Sequence, residues 1–165
     1  MVTIDNGAAA PAGPGSPGVT TAWMVVVVGF DGSEPSQRAL LAARRLVSGR
    51  PGSVEVVFVA HPSAASTMSP YAQVESGHIL DEEAAEAETL ARDLLGGEQR
   101  WHFHRRDGSI ADQLVAAAAA EVAQYGPAAE VLLVVGRAVH AYHQVMGSVP
   151  AALVRHGGFP VLVIP

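Results

Sequence analysis

Two glycine-bearing turns hold the residues best suited to chemistry. Gly29-Phe30-Asp31-Gly32-Ser33 follows the β-branched run Met24-Val25-Val26-Val27-Val28, and Gly136-Arg137-Ala138-Val139-His140 follows Val131 to Val135. The second turn runs on to Met146-Gly147-Ser148-Val149. Each leads into the start of an expected helix, whose free N–H groups favour an anion. Asp31 adds a carboxylate that can accept a hydroxyl, act as a base or hold Mg²⁺, and Arg137 adds one positive charge. Short glycine turns also serve simply to join a strand tightly to a helix, and spacing alone leaves both readings open.

Histidine offers a second chemistry. His102 and His104 alternate along a strand-like run and so share one face, while His140 and His143 stand three apart in the second turn. Zinc and similar ions normally take three or four protein ligands with outer hydrogen-bond support. Here there are only pairs, with Asp107 a third candidate beside the first, so no resident metal is expected. His140 and His143 would suit a phosphate as imidazolium. The acidic cluster Asp81 to Glu88 reads as the solvated start of a helix.

Composition removes whole classes of mechanism. The 165 residues include ten Lys or Arg, and all ten are Arg. Without lysine there is no Walker-type P-loop, Schiff base or pyridoxal phosphate chemistry. Without cysteine there are no disulfides, thiolate nucleophiles or Cys-ligated metal centres. The net charge of −6 argues against a sequence-independent nucleic-acid binder. Gly-x-Ser-x-Gly, His-Glu-x-x-His and Gly-x-Gly-x-x-Gly are all missing, so no enzyme is expected. No stretch approaches the ~20 apolar residues of a membrane span. Residues 1–22 carry no Lys or Arg and are rich in Ala, Pro and Gly, which reads as a disordered tail rather than a secretory signal. One domain, 23–165, in the cytoplasm is the expectation.

The elements that must position the two turns alternate in type. Strands are expected at Met24 to Val28, Val54 to Ala60, Arg100 to Arg106, Val131 to Val135 and Val161 to Ile164. Ser33 and Pro35 open a helix carrying Ala39, Leu40, Ala43, Leu46 and Val47. His61 to Gly77 lacks a period and reads as a long loop. Leu80, Ala84, Ala87, Ala91 and Leu94 form the stripe of a second helix. Ser109 to Asp112 starts a capping box before a third, with Ile110, Leu114, Ala117, Ala118 and Val122 inward. Ser148 to His156 makes a fourth. The β-α alternation predicts a parallel sheet with helices on both faces, a Rossmann-like α/β fold whose ligands bind beyond the strand ends.

Val25-Val26-Val27-Val28-Gly29-Phe30-Asp31-Gly32-Ser33-Glu34, Val134-Val135-Gly136-Arg137, Gly147-Ser148-Val149-Pro150, Val154-Arg155-His156 and Pro160-Val161-Leu162-Val163-Ile164 together resemble the universal stress proteins over residues 23–165. The resemblance implies strand order 3-2-1-4-5, with strands one and four adjacent at the switch point. It implies an adenine nucleotide (ATP, AMP or cyclic AMP) there. Asp31 would contact the nucleoside and the backbone of Val59 the adenine. Gly136 would open the phosphate loop, and Gly147, Ser148 and Val149 would hold phosphate. It implies a homodimer as well, and the strand Val161 to Ile164 is an apolar sheet edge suited to pairing with its own copy. Two departures stand out. Val139 replaces a second glycine, and His140 to Met146 spans seven residues where the family has nine. Both predict poor binding of a triphosphate. The alternative is a nucleotide-independent, dimeric interaction module.

Overall fold

The computed structural model describes residues 22–60, 70–97, 100–137 and 149–165, with backbone alone for 70–77. Five strands and four helices alternate: β1 (Met24–Gly29), α1 (Glu34–Val47), β2 (Gly52–Ala60), α2 (Pro70–Leu95), β3 (Trp101–Asp107), α3 (Ile110–Tyr125), β4 (Glu130–Gly136), α4 (Val149–His156) and β5 (Val161–Ile164). All pairings are parallel and the order is β3-β2-β1-β4-β5, as the resemblance implied.

The valine run explains the centre of the sheet. β1 pairs with β2 on one side and β4 on the other, so no polar backbone is left over along it. Val25, Val26, Val27 and Val28 are all fully buried. Val26 and Val28 join the core beneath α1 and α2, built around Leu40, Val47, Phe58, Ala87 and Leu95. Val25 and Val27 join the core beneath α3 and α4, built around Val57, Leu114, Leu133 and Leu153. The helix-bearing face changes between β1 and β4, which makes their carboxyl ends the switch point.

Most of the helical stripes are as the sequence predicts, but three local readings need correction. The loop expected over His61 to Gly77 gives way to helix from Pro70 onward. Proline is preorganised for a first helical position, and the amphipathic part after His78 needs only to propagate backward through it. Ser33 and Ser109 do sit at the N-cap positions, yet neither makes a side-chain cap bond. The Ser33 hydroxyl donates to Asp31 Oδ1 instead, which diverts that cap, and the capping box expected at Ser109 to Asp112 is not formed. The C-terminus of α2 is closed by Gly96, whose N–H donates to the carbonyl of Arg92 at 2.9 Å. Arg44 of α1 donates to the carbonyl of Leu94 at 3.0 Å, tying the two helices together.

Candidate functional site

A cavity of about 370 Å³ opens where β1 and β4 end. That volume lies within the range of small-molecule sites. β1 and the turn after it contribute Gly29, Asp31 and Ser33. Val57 and Val59 come from β2, Ile110 and Leu114 from α3, and Val135, Gly136 and Arg137 from β4 and its end; Val149 and Pro150 of α4 complete the lining. The floor is therefore aliphatic and the rim carries the charges.

β2 outruns its neighbour here. The β1–β2 register ends at Gly29 opposite Val57, whereas β2 continues to Ala60. Val59 thus lines the cavity without a β1 residue opposite.

Asp31 stands at the mouth and is held by its own turn. Its Oδ1 accepts the backbone N–H of Ser33 at 3.0 Å and the hydroxyl of Ser33 at 2.5 Å. Ser36, buried at the start of α1, accepts the Asp31 N–H at 3.4 Å and donates to the Ser33 carbonyl at 2.9 Å. Partial desolvation works against ionisation, but the bonds from Ser33 and Ser36 outweigh it and keep the carboxyl below its ordinary value. Asp31 is a fixed anion, poorly suited to donate a proton near neutral pH and well suited to accept a hydroxyl.

Gly136 and Arg137 are committed elsewhere as well as lining the cavity. A Cβ on Gly136 would lie 2.5 Å from the Pro35 carbonyl carbon and 2.6 Å from its oxygen. The N–H of Arg137 donates to the carbonyl of Ile164 at 2.7 Å, fastening β4 to β5. The exposed Arg137 guanidinium is the cation among the described lining residues.

Of the residues picked out from the sequence, Asp31, Val59, Gly136, Arg137 and Val149 line this one cavity. Gly147 and Ser148 lie outside the described residues, as do Val139, His140 and His143. Sequence reasoning passed over Leu114 and Ile110, which reach the cavity from the start of α3, and Pro35, which fixes the space beside Gly136. Among the described residues no group of three or more His, Asp or Glu is placed to hold a metal. No described helix is long and apolar enough to cross a membrane.

An open five-stranded parallel sheet with helices on both faces, an aliphatic crevice and a fixed carboxylate at its switch point defines a doubly wound α/β domain. The chain belongs to the universal stress protein family, whose model matches residues 23–165. Among solved structures, a universal stress protein in complex with cAMP is 25% identical, with a TM-score of 0.58 over 86% of this chain and 97% of that one. The universal stress protein UspA from Lactobacillus plantarum is 21% identical, with a TM-score of 0.69 over 87% of this chain and 99% of that one. A universal stress protein from Archaeoglobus fulgidus is 19% identical, with a TM-score of 0.52 over 87% of this chain and 98% of that one. No curated protein sequence matches the chain.

Proposed function

We propose that this is a cytoplasmic regulatory domain that binds an adenine nucleotide of low charge, cyclic AMP or AMP in preference to ATP, without turning it over. Asp31 carries this reading: a carboxylate immobilised by the N–H and hydroxyl of Ser33 at the mouth of an aliphatic cavity is a receptor for a ribose hydroxyl above a buried base. Val59 backbone would meet the adenine edge, and Arg137, Gly147, Ser148 and Val149 the phosphate. The cAMP complex of a 25% identical relative supports the ligand class. Charge supports the preference within it, because Asp31 and Glu34 face the ligand with Arg137 as their counterweight.

Calorimetric titration of the full chain with cyclic AMP, AMP and ATP, with and without Mg²⁺, tests the proposal. Cyclic AMP or AMP is expected to bind at least tenfold more tightly than ATP, and Asp31→Ala to weaken binding at least tenfold, equivalent to about 1.4 kcal/mol. Tight binding of ATP, or equal affinity after Asp31→Ala, overturns it.

One observation favours the second reading, an interaction module without a nucleotide. Gly136 and the Arg137 amide have structural work that accounts for them in full. Binding of none of the three nucleotides would establish that alternative.

Either reading includes a homodimer. β5 pairs with β4 on one side and is the edge of the sheet on the other. Val163 is 40% exposed there, and Val154 of the adjacent α4 is 65% exposed. Antiparallel pairing of β5 with its copy about a two-fold axis would cover both the open ladder and these valines. Val163→Lys is expected to convert dimer to monomer or to insoluble protein. A monomer mass for the unaltered chain by light scattering at micromolar concentration would rule the dimer out.

A further inference from the structure

The sheet face beneath α3 carries a buried ionisable group that the nucleotide cavity does not use. Glu55 lies within β2 between Val54 and Val56, and only 2% of it is exposed. A buried carboxylate costs several kcal/mol unless it is paired and hydrogen-bonded. Glu55 is both. The Ser53 hydroxyl donates to Oε1 at 2.8 Å, His102 Nδ1 lies 3.1 Å from both oxygens, and His104 Nε2 lies 2.8 Å from Oε2. Burial pushes this carboxyl upward, but the bonds from His104, His102 and Ser53 outweigh it and keep the group ionised.

The strand register brings these residues together. Glu55 is opposite His102 and Val57 opposite His104, and alternation sends both imidazoles to the face of Glu55. β3 is the sheet edge, and α3 packs on β1, β4 and β2. The two rings therefore reach solvent, with side-chain exposures of 54% and 36%.

Each ring has committed one nitrogen to Glu55. Among the described residues, the other nitrogens, His102 Nε2 and His104 Nδ1, have no hydrogen-bond partner. An imidazole that donates one N–H to a carboxylate has its tautomer fixed and its remaining lone pair made more basic, which is how metal-ligating histidines are prepared. The ring centres stand 6.4 Å apart. Two imidazoles sharing one ion at about 2.0–2.1 Å hold their centres about 5–6 Å apart, so rotation of these partly exposed rings is what must bring the two free nitrogens onto one ion.

We propose that His102 and His104 chelate a first-row divalent transition cation, Cu²⁺ ahead of Ni²⁺ and Zn²⁺, with Glu55 as the positioning carboxylate behind them. Imidazole suits these ions, and the order follows their intrinsic affinities. The protein supplies two ligands and water completes the shell. Glu121 of α3 lies within electrostatic reach. Burial and then the Glu55 charge raise its carboxyl, while His104, His102 and Arg106 oppose the rise.

The test uses the full, tag-free chain near neutral pH, titrated with CuSO₄, NiCl₂ and ZnCl₂ by calorimetry. One equivalent is expected to bind, in the order copper, nickel, zinc. His102→Ala and His104→Ala should each weaken binding at least tenfold, and His78→Ala should leave it unchanged. Glu55→Gln should weaken binding by about 10- to 100-fold, the usual cost of losing a carboxylate partner. Because Glu55 is buried, the copper electron paramagnetic resonance spectrum of the unaltered chain provides a readout that does not depend on that variant folding. Hyperfine coupling to two imidazole nitrogens is expected, reduced to one in either histidine variant. Unchanged affinity in the doubly substituted His102→Ala/His104→Ala chain, or a spectrum without imidazole nitrogen, overturns the assignment.

Discussion

Gly136→Ala is expected to cost about 1–3 kcal/mol of folding stability, the range for forcing extra volume into a packed site, and to displace the start of α1. The added Cβ would fall 2.5 Å from the carbonyl carbon of Pro35, 2.6 Å from its oxygen and 2.8 Å from its Cβ. Two of these three atoms are backbone, so no rotamer change relieves the contact. Pro35 itself is buried in the first turn of α1, where its missing N–H leaves no hydrogen bond unmade. The close approach of α1 to the end of β4 is what brings Asp31 and Arg137 to one cavity. A shift at Pro35 would therefore be felt at both. Urea denaturation at constant m-value measures the loss. A change within about 0.5 kcal/mol, ordinary for surface substitutions, would show that the helix start yields freely.

This glycine also shows how a sequence motif and a physical requirement can coincide. In the sequence, Gly136 reads as the opening of a phosphate loop by resemblance, or as a tight turn by spacing. The structure supplies a packing reason that neither reading contained. Gly32 differs in kind, since its φ of 77° is a conformation that L side chains rarely adopt.

The architecture was legible because four of the five strands are rich in β-branched residues and bounded by turn residues, and the helices carry apolar stripes; β3, Trp-His-Phe-His-Arg-Arg-Asp, shows only alternation. Val25 to Val28 could hardly be anything but a strand covered on both faces. The start of α2 was not legible, because residues 70–77 (Pro-Tyr-Ala-Gln-Val-Glu-Ser-Gly) have no apolar period and include a glycine. Nor were the caps. Ser33 was identified by position, but the competition between its helix and Asp31 for one hydroxyl is a matter of geometry. Glu55 was missed altogether. A reading that looks for apolar runs absorbs a single carboxylate into Val54 to Ala60. The available signal was its alternation with Ser53, set beside a neighbouring strand whose own alternation is His102, His104. Strand neighbours must be known before two alternations can be matched, so the cluster emerges only with the topology.

Leu114→Ala is expected to have the largest single effect, about 2–5 kcal/mol, which is a substantial part of the 5–15 kcal/mol that typically holds a domain together. Leu114 is fully buried, and it spans two jobs: it fills the core beneath α3 and forms part of the cavity floor. Its Cδ1 and Cδ2 would lie 3.1 and 3.6 Å from a Cβ placed on Gly29. Gly29→Ala alone should therefore destabilise by crowding Leu114. Combined with Leu114→Ala, the same methyl enters the space that the leucine vacates. The two losses should then not add. The double variant is expected to be more stable than their sum by about 0.5–3 kcal/mol, the range for residues in contact. The restoration should be incomplete, because Val135 Cγ1 still stands 3.2 Å from the new methyl. Strict additivity in a denaturation cycle would mean that Gly29 and Leu114 do not share this space, and that the floor of the cavity is set by some other pair.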